Sequence, residues 1–211
     1  MESTPAFRAA TAPAAPPARP RPAPGDAFAL ARAWVRAGRR LDMVALAAEL
    51  GVSRGTLYRW TGDRDRLLAD VVWADLQALL DASWAASAGS GGAARLEAAV
   101  GRFLDLVAGR SALRALLANE GESGLRMLTA HRGPIRPRLL AAIAARLQEE
   151  VAAGRYRPPA PPEAIADGVV SIGERFLHNG GDPTLNPDPA TAKVVVSLLL
   201  REDGTNERPL V

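Results

Sequence analysis

Two short stretches of patterned apolar residues, joined at a single glycine, constrain this chain more than any other feature. In Asp42–Leu50 the residues Met43, Leu46, Ala47 and Leu50 recur at i, i+3, i+4 and i+7, which puts one apolar stripe along a short helix. Asp42 stands where a side-chain oxygen caps the first free amides. Gly51 stands where the helix ends in a left-handed residue, a conformation that costs nothing without a Cβ. Ser53 can cap a second short helix that runs to Trp60. Val52 and Leu57 are its inward apolar positions, and Arg54, Gly55, Thr56, Tyr58 and Arg59 are left outside.

Two short helices around a tight glycine turn form a shape that a DNA major groove accepts. The outward set suits that use. An arginine can bridge guanine O6 and N7, a threonine methyl can meet thymine, and a tyrosine hydroxyl can reach a phosphate. Gly55 lets the backbone come close to the duplex. Asp63-Arg-Asp-Arg-Leu-Leu68 reads as the capped start of a further helix, where Arg64 and the free amides would clamp a phosphate. The same pattern also suits a plain helix–helix corner, so its position in the chain matters. It follows a short helix (Ala27–Ala37) whose inner face is Phe28, Ala31, Trp34 and Val35, and it precedes a long one.

The run Leu46-Ala-Ala-Glu-Leu-Gly-Val-Ser-Arg-Gly-Thr-Leu-Tyr58, with an aromatic at Trp60 and then Leu67-Leu68, resembles the N-terminal domain of the tetracycline-repressor (TetR) family of bacterial transcription regulators. The likeness spans about Phe28 to Trp73. Val44 stands where that family often carries a basic or polar residue, and Trp60 where a Phe is more usual. The resemblance implies double-stranded DNA as a partner, with Ser53, Arg54, Gly55, Thr56, Tyr58, Arg59 and Arg64 at the contact. It also implies an effector pocket in a second domain and a homodimer built from the last two helices.

Composition agrees with an all-α chain. Of 211 residues 48% are apolar but only 5% aromatic, so Ala, Leu and Val supply the interior, and Ala and Leu lead the helix-propensity scale. No period-2 run bounded by turns is present. The net charge is +3, and Lys193 is the single lysine; a basic balance permits nucleic-acid binding without demanding it. With no cysteine, disulfides and thiolate metal sites are excluded. His131 and His178 are 47 positions apart and belong to no metal or triad spacing, so neither a metal, a cofactor nor a catalytic residue is expected. The longest apolar run, Val194–Leu200, is too short to span a bilayer. No signal peptide is visible, and the expected location is the cytoplasm.

Four segments follow. Residues 1–25, rich in Ala and Pro with Arg8, Arg19 and Arg21, are expected to be a disordered arm. Such an arm is more often a solvated tail than a minor-groove contact. Residues 26–72 form a three-helix helix-turn-helix domain. Residues 73–202 form a larger helical domain for effector binding and dimerisation, and 203–211 a tail. The long helix from Arg64 to about Ser87 has no breaker and joins head to core. Further helices are expected at 93–108, 111–119, 125–129 (after a break at Gly121–Gly124), from Pro134 to Gly154, at 163–178 and at 190–201. The last is apolar nearly all round and needs cover on every side. A symmetric four-helix interface is therefore predicted, with Ile165, Val169, Ile172 and Phe176 on one helix and Val195 and Leu199 on the other.

Trp84, Phe103 and Met127 are candidate linings for an effector pocket, with Glu174 as its polar group. The segments Gly124–Thr129 and Gly133–Arg136 are similar to a QsdR-like subgroup of these regulators, associated with quorum-sensing lactone degradation. That likeness implies an acyl lactone or another hydrophobic effector. The function expected is a dimeric repressor released from a palindromic operator by a small molecule. The alternative is a helical ligand-binding or adaptor protein that does not bind DNA.

Overall fold

Ala-rich, strand-poor sequence gives helices throughout. The computed structural model describes residues 21–178 and 189–202. Among them are α1 (Pro24–Arg36), α2 (Met43–Leu50), α3 (Arg54–Thr61), α4 (Arg64–Ala86), α5 (Gly92–Ala108), α6 (Ser111–Thr129), α7 (Arg136–Ala152), α8 (Pro162–His178) and α9 (Pro189–Leu199). The predicted arm (except residues 21–25) and the predicted tail lie outside the described residues. No described helix is long and apolar enough to cross a membrane.

The head forms where α1, α2 and α3 close on the first turns of α4. α1 starts three residues before the predicted Ala27, because Pro24 suits a first turn and the Asp26 carboxylate accepts from the Ala23 amide at 2.8 Å. Ala27, Ala31, Trp34, Leu41, Met43, Leu46, Leu57, Leu67 and Leu68 are buried together in one apolar cluster. At about 1.5 Å per residue, α4 is about 35 Å long. Beyond the head it runs on against α5 with Leu76, Leu79 and Leu80 still buried. Asp75 binds α1 to α4, accepting from Arg32 Nε at 2.8 Å and Arg36 Nη2 at 2.6 Å. Burial opposes its ionisation, but the hydrogen bonds from Arg36 and Arg32 outweigh that and hold its carboxyl below the ordinary range.

The core is tied at the far end by one buried carboxylate. Glu150 of α7 is 0% exposed. It accepts from the Gly92 amide (2.9 Å), Arg95 Nη1 (3.0 Å), Arg155 Nε (2.8 Å) and Arg155 Nη2 (2.9 Å). Only glycine fits at 92: φ is +59°, and a Cβ there would lie 2.2 Å from the Arg155 carbonyl oxygen. In α6 the predicted break over Gly121–Gly124 narrows to one residue, Gly121 (φ 54°, ψ −133°), and helix continues on both sides. A single left-handed glycine is enough to redirect the axis.

The α8 and α9 faces are divided differently from the sequence expectation. Ile165 and Val169 are buried within the protomer, along with Ala166 and Val170, where α8 packs on α7 and α9. Ile172 is half-buried against the same core, and the Phe176 side chain lies outside the described residues. On α9, Ala192 and Val196 turn inward, as does Leu200 just after it, and Leu199 places a methyl 3.0 Å from where a Cβ on Gly168 would sit. The outward apolar residues are Val194 (59% exposed), Val195 (39%) and Leu198 (50%). Of the five predicted interface residues whose side chains are described, Val195 is the one that is exposed. The reason is periodicity: a stripe at i, i+4, i+7 marks a buried face but does not say whether its cover comes from the same chain.

Glu150 yields a test. Its bonds to Arg155, working against burial, lower its pKa from 4.5 to about 2. A carboxylate depressed in the folded state contributes stability above its unfolded pKa and loses it as the pH falls through the folded one. Thermal unfolding followed by circular dichroism should therefore show stability falling from about pH 4.5 towards pH 2. Glu150→Gln should flatten that part of the profile and cost on the order of 3 kcal/mol at neutral pH.

Candidate nucleic-acid interface

The turn between α2 and α3 is built as its residues dictate. Asp42 Oδ1 accepts from the amides of Val44 (2.8 Å) and Ala45 (2.9 Å). Gly51 takes φ 69°, ψ 31°, and the Val52 amide reaches back to the Ala47 carbonyl at 3.0 Å. Ser53 Oγ accepts from the Thr56 amide at 3.1 Å and lies 2.9 Å from Thr56 Oγ1. The Ser53 hydroxyl is thus engaged in capping α3. Leu57, 0% exposed, plugs α3 into the head.

What remains outside is a single polar face. Arg54, Gly55 and Arg59 are exposed, Tyr58 is 45% exposed, and Thr56 is half-exposed. A Cβ on Gly55 would meet nothing closer than Ser53 Oγ at 3.9 Å, so the backbone there is open to approach. Val44 also stands outward on α2, 55% exposed. Among the described residues neither Arg54 nor Arg59 has a carboxylate within ion-pair distance, which leaves both guanidinium groups available.

Arg64 is placed differently. The sequence reading assigns it to phosphate, but its donors are taken up inside the protein. Nε donates to the Leu41 carbonyl at 2.9 Å, Nη1 to Asp65 at 3.1 Å, and Nη2 to Glu120 of α6. Nothing in the local sequence marks Glu120 as a partner 56 residues away. Beside this pair, Asn119 Nδ2 donates to the Gly38 carbonyl at 2.8 Å, and Ala115 Cβ sits 3.3 Å from the Cβ position of Gly38 (φ 71°). The segment of α6 before the Gly121 kink therefore rests on the head at the α1–α2 loop and at the first residue of α4.

The four effector-pocket candidates are not brought together. Trp84 lies near the far end of α4, with the Arg95 guanidinium 3.9 Å from its ring centre and that of Arg146 at 6.0 Å. Phe103 is buried in α5. Met127 lines an open groove of about 510 Å³ beside Ala69, Glu120 and Arg138. At 1.5 Å per residue, Ala69 and Trp84 are roughly 22 Å apart along α4. Glu174 faces inward as expected, but onto Arg136: Oε2 accepts from Nη1 at 2.5 Å, and Asp167 accepts from Nη2 at 2.6 Å. Arg136, only 5% exposed, was not a candidate; the one sequence signal for it is an arginine two residues after Pro134 at a helix start. Among the described residues, Glu174 Oε1 and Arg136 Nε are buried without a hydrogen-bond partner.

A helix-turn-helix head carried on a helical core is the fold of a class of transcription regulators. Residues 91–201 match the family model described as "Tetracyclin repressor-like, C-terminal domain". The chain belongs to the tetracycline-repressor family. It is similar to the transcriptional repressor QsdR of R. erythropolis, at 27% identity and TM-score 0.70 over 84% of this chain and 93% of that one. The fold is shared with the repressor AlkX of Dietzia sp. strain DQ12-45-1b, implicated in biodegradation of n-alkanes (20%, TM-score 0.57, covering 86% and 99%). It is also shared with FadR of Bacillus subtilis in complex with stearoyl-CoA (16%, TM-score 0.52, covering 83% and 97%). A search of curated proteins found no match.

The Asp42 cap can be tested directly. Asp42→Ala leaves the Val44 and Ala45 amides without their acceptor and should lower stability by about 1 kcal/mol in urea unfolding. Asp42→Asn should recover most of that loss.

Proposed function

We propose that the protein is a dimeric repressor that binds a palindromic operator through α3 and leaves it when a small hydrophobic molecule binds the C-terminal domain. The observation that carries this reading is the division of α3: Leu57 is sunk in the head, and Arg54, Thr56, Tyr58 and Arg59 stand free on one face. Gly55 gives the duplex backbone room. Ser53 acts as a cap and adds its exposed edge to the face. Membership of the family supports the DNA-binding output. The QsdR likeness and the ligand named for FadR support a hydrophobic effector.

The route for release follows from the α6 contacts. α6 touches the head through Asn119 to Gly38 and Glu120 to Arg64, and it bends at Gly121 immediately after them. An effector that favours a shifted α6 would turn the heads to a spacing that no longer matches successive major grooves. A coupling of about 1–3 kcal/mol between the two ligands is enough to change occupancy. The dimer is proposed to form over the outward face of α9, where Val194, Val195 and Leu198 are exposed among the described residues. Two heads related by a two-fold axis then read two half-sites about one helical turn apart, or a multiple of it.

Two measurements test this. In a mobility-shift titration on the region upstream of its own gene, Arg59→Ala should bind about tenfold more weakly, and Tyr58→Phe should also weaken binding. Both variants should remain dimers by sedimentation. Unchanged affinity in both would remove the α3 contacts, and no selective shift by the wild type would favour a ligand-binding protein without DNA. Separately, Leu198→Arg should convert the dimer to a folded monomer and abolish selective operator binding. A dimer that persists in that variant would exclude α9 as the interface.

A further inference from the structure

We infer that the Arg19-Pro-Arg-Pro22 run leading into α1 is a second DNA-binding element, whose arginines enter the minor groove beside the major-groove site of α3. This rests on the DNA-binding reading given above. Residues 1–25 contain Arg8, Arg19 and Arg21 against a single acid, Glu2. Sequence alone leaves such an arm as a solvated tail; the place where it joins the head favours DNA instead.

The head fixes that junction at the edge of its outward face. Ala27 and Ala31 sink α1 into the head. Pro24 and Phe28 line one groove together with Tyr58 and Arg59 at the end of α3. The Asp26 carboxylate accepts from the Ala23 amide at 2.8 Å, and Ala23 is extended (φ −119°, ψ 166°), so the chain enters α1 on a fixed course. Arg21 is exposed and, among the described residues, has no carboxylate partner. Its charge is therefore free for a duplex seated on α3.

Proline gives the run the shape that a minor groove requires. A residue before proline is restricted to extended or polyproline conformations, and Arg19 and Arg21 each precede one. The minor groove, about 6 Å wide, admits a slim extended chain but not a helix. Where it narrows, its negative potential draws in guanidinium groups. Arg21 stands three residues before the start of α1 and Arg19 five. Along such a chain these are about 9 and 15 Å. The minor groove beside a major-groove site lies half a helical turn away, about 17 Å. The run is therefore long enough to reach it.

The test is fluorescence anisotropy of the full chain on its upstream fragment, made with guanine or with inosine in its place, between about 50 and 200 mM KCl. Inosine lacks only the amino group that guanine shows in the minor groove, so the major-groove pattern met by α3 is unchanged. The wild type should bind the inosine fragment several-fold more tightly. The double variant Arg19→Gln, Arg21→Gln should bind both fragments alike, with a salt slope shallower by about 0.9 for each arginine. A double variant with wild-type affinity and slope overturns the assignment and leaves the DNA reading intact. So does an inosine preference that survives in the double variant, which would come from duplex deformability. A wild type without any inosine preference also overturns it, and a shallower slope in the variant would then mean contact with phosphates only. A wild type that binds neither fragment in a salt-dependent way overturns the DNA reading and this inference with it.

Discussion

The continuous burial of one face of α4 underlies everything else in the molecule. Leu67, Leu68, Val71 and Val72 belong to the head, and Leu76, Leu79 and Leu80 belong to the core, on one unbroken helix. Neither domain closes without it, since an amphipathic helix gains its stability from the surfaces that cover its apolar stripe. A helix held by backbone hydrogen bonds is stiff over about 35 Å. α3, which ends two residues before α4, therefore takes its orientation from whatever fixes α4 in the core.

Polar contacts then determine how firmly the head is held. Asp75 joins α1 to α4 through two arginines, and Glu120 and Asn119 of α6 grip Arg64 and the Gly38 carbonyl. These are directional bonds of unequal shelter: Arg36 is half-exposed, whereas the Glu120 side chain is only 7% exposed. The far end is held in another way. Glu150 is fully buried and has four donors, so it acts as a fixed tie and not as a switch. The far end is thus fixed by a buried charge with all its donors in place, and the junction by polar bonds between helix ends and a loop.

Local chemistry was readable in the sequence wherever its cause was local. The Asp42 and Ser53 caps, left-handed Gly51, buried Leu57 and the unbroken α4 each depend on residues within four positions, and each is found as read. What was not readable depended on residues far apart in the chain. Arg64 and Glu120 are separated by 56 positions, and no pattern around either one indicates the pair. Glu174 was read as an inward polar group, which it is, but its partner Arg136 was not foreseen. Trp84, as a large apolar side chain, and Met127, as an adaptable one, suit the lining of one pocket by residue type alone, yet Trp84 lies near the end of α4 and Met127 of α6 lies beside Ala69 near its start.

The helical class, the helix-turn-helix, the outward set Arg54, Thr56, Tyr58 and Arg59 and the likeness to the tetracycline-repressor family followed from the sequence by itself. Those properties come from short-range caps, turns and 3.6-residue periodicity. Tertiary structure decided which apolar stripes the protomer covers for itself. It buried Ile165 and Val169 and left Val194, Val195 and Leu198 outside. It also decided which arginines are paired and which stand free, because a charged side chain is taken by whichever carboxylate the fold brings within reach, and only packing sets that distance.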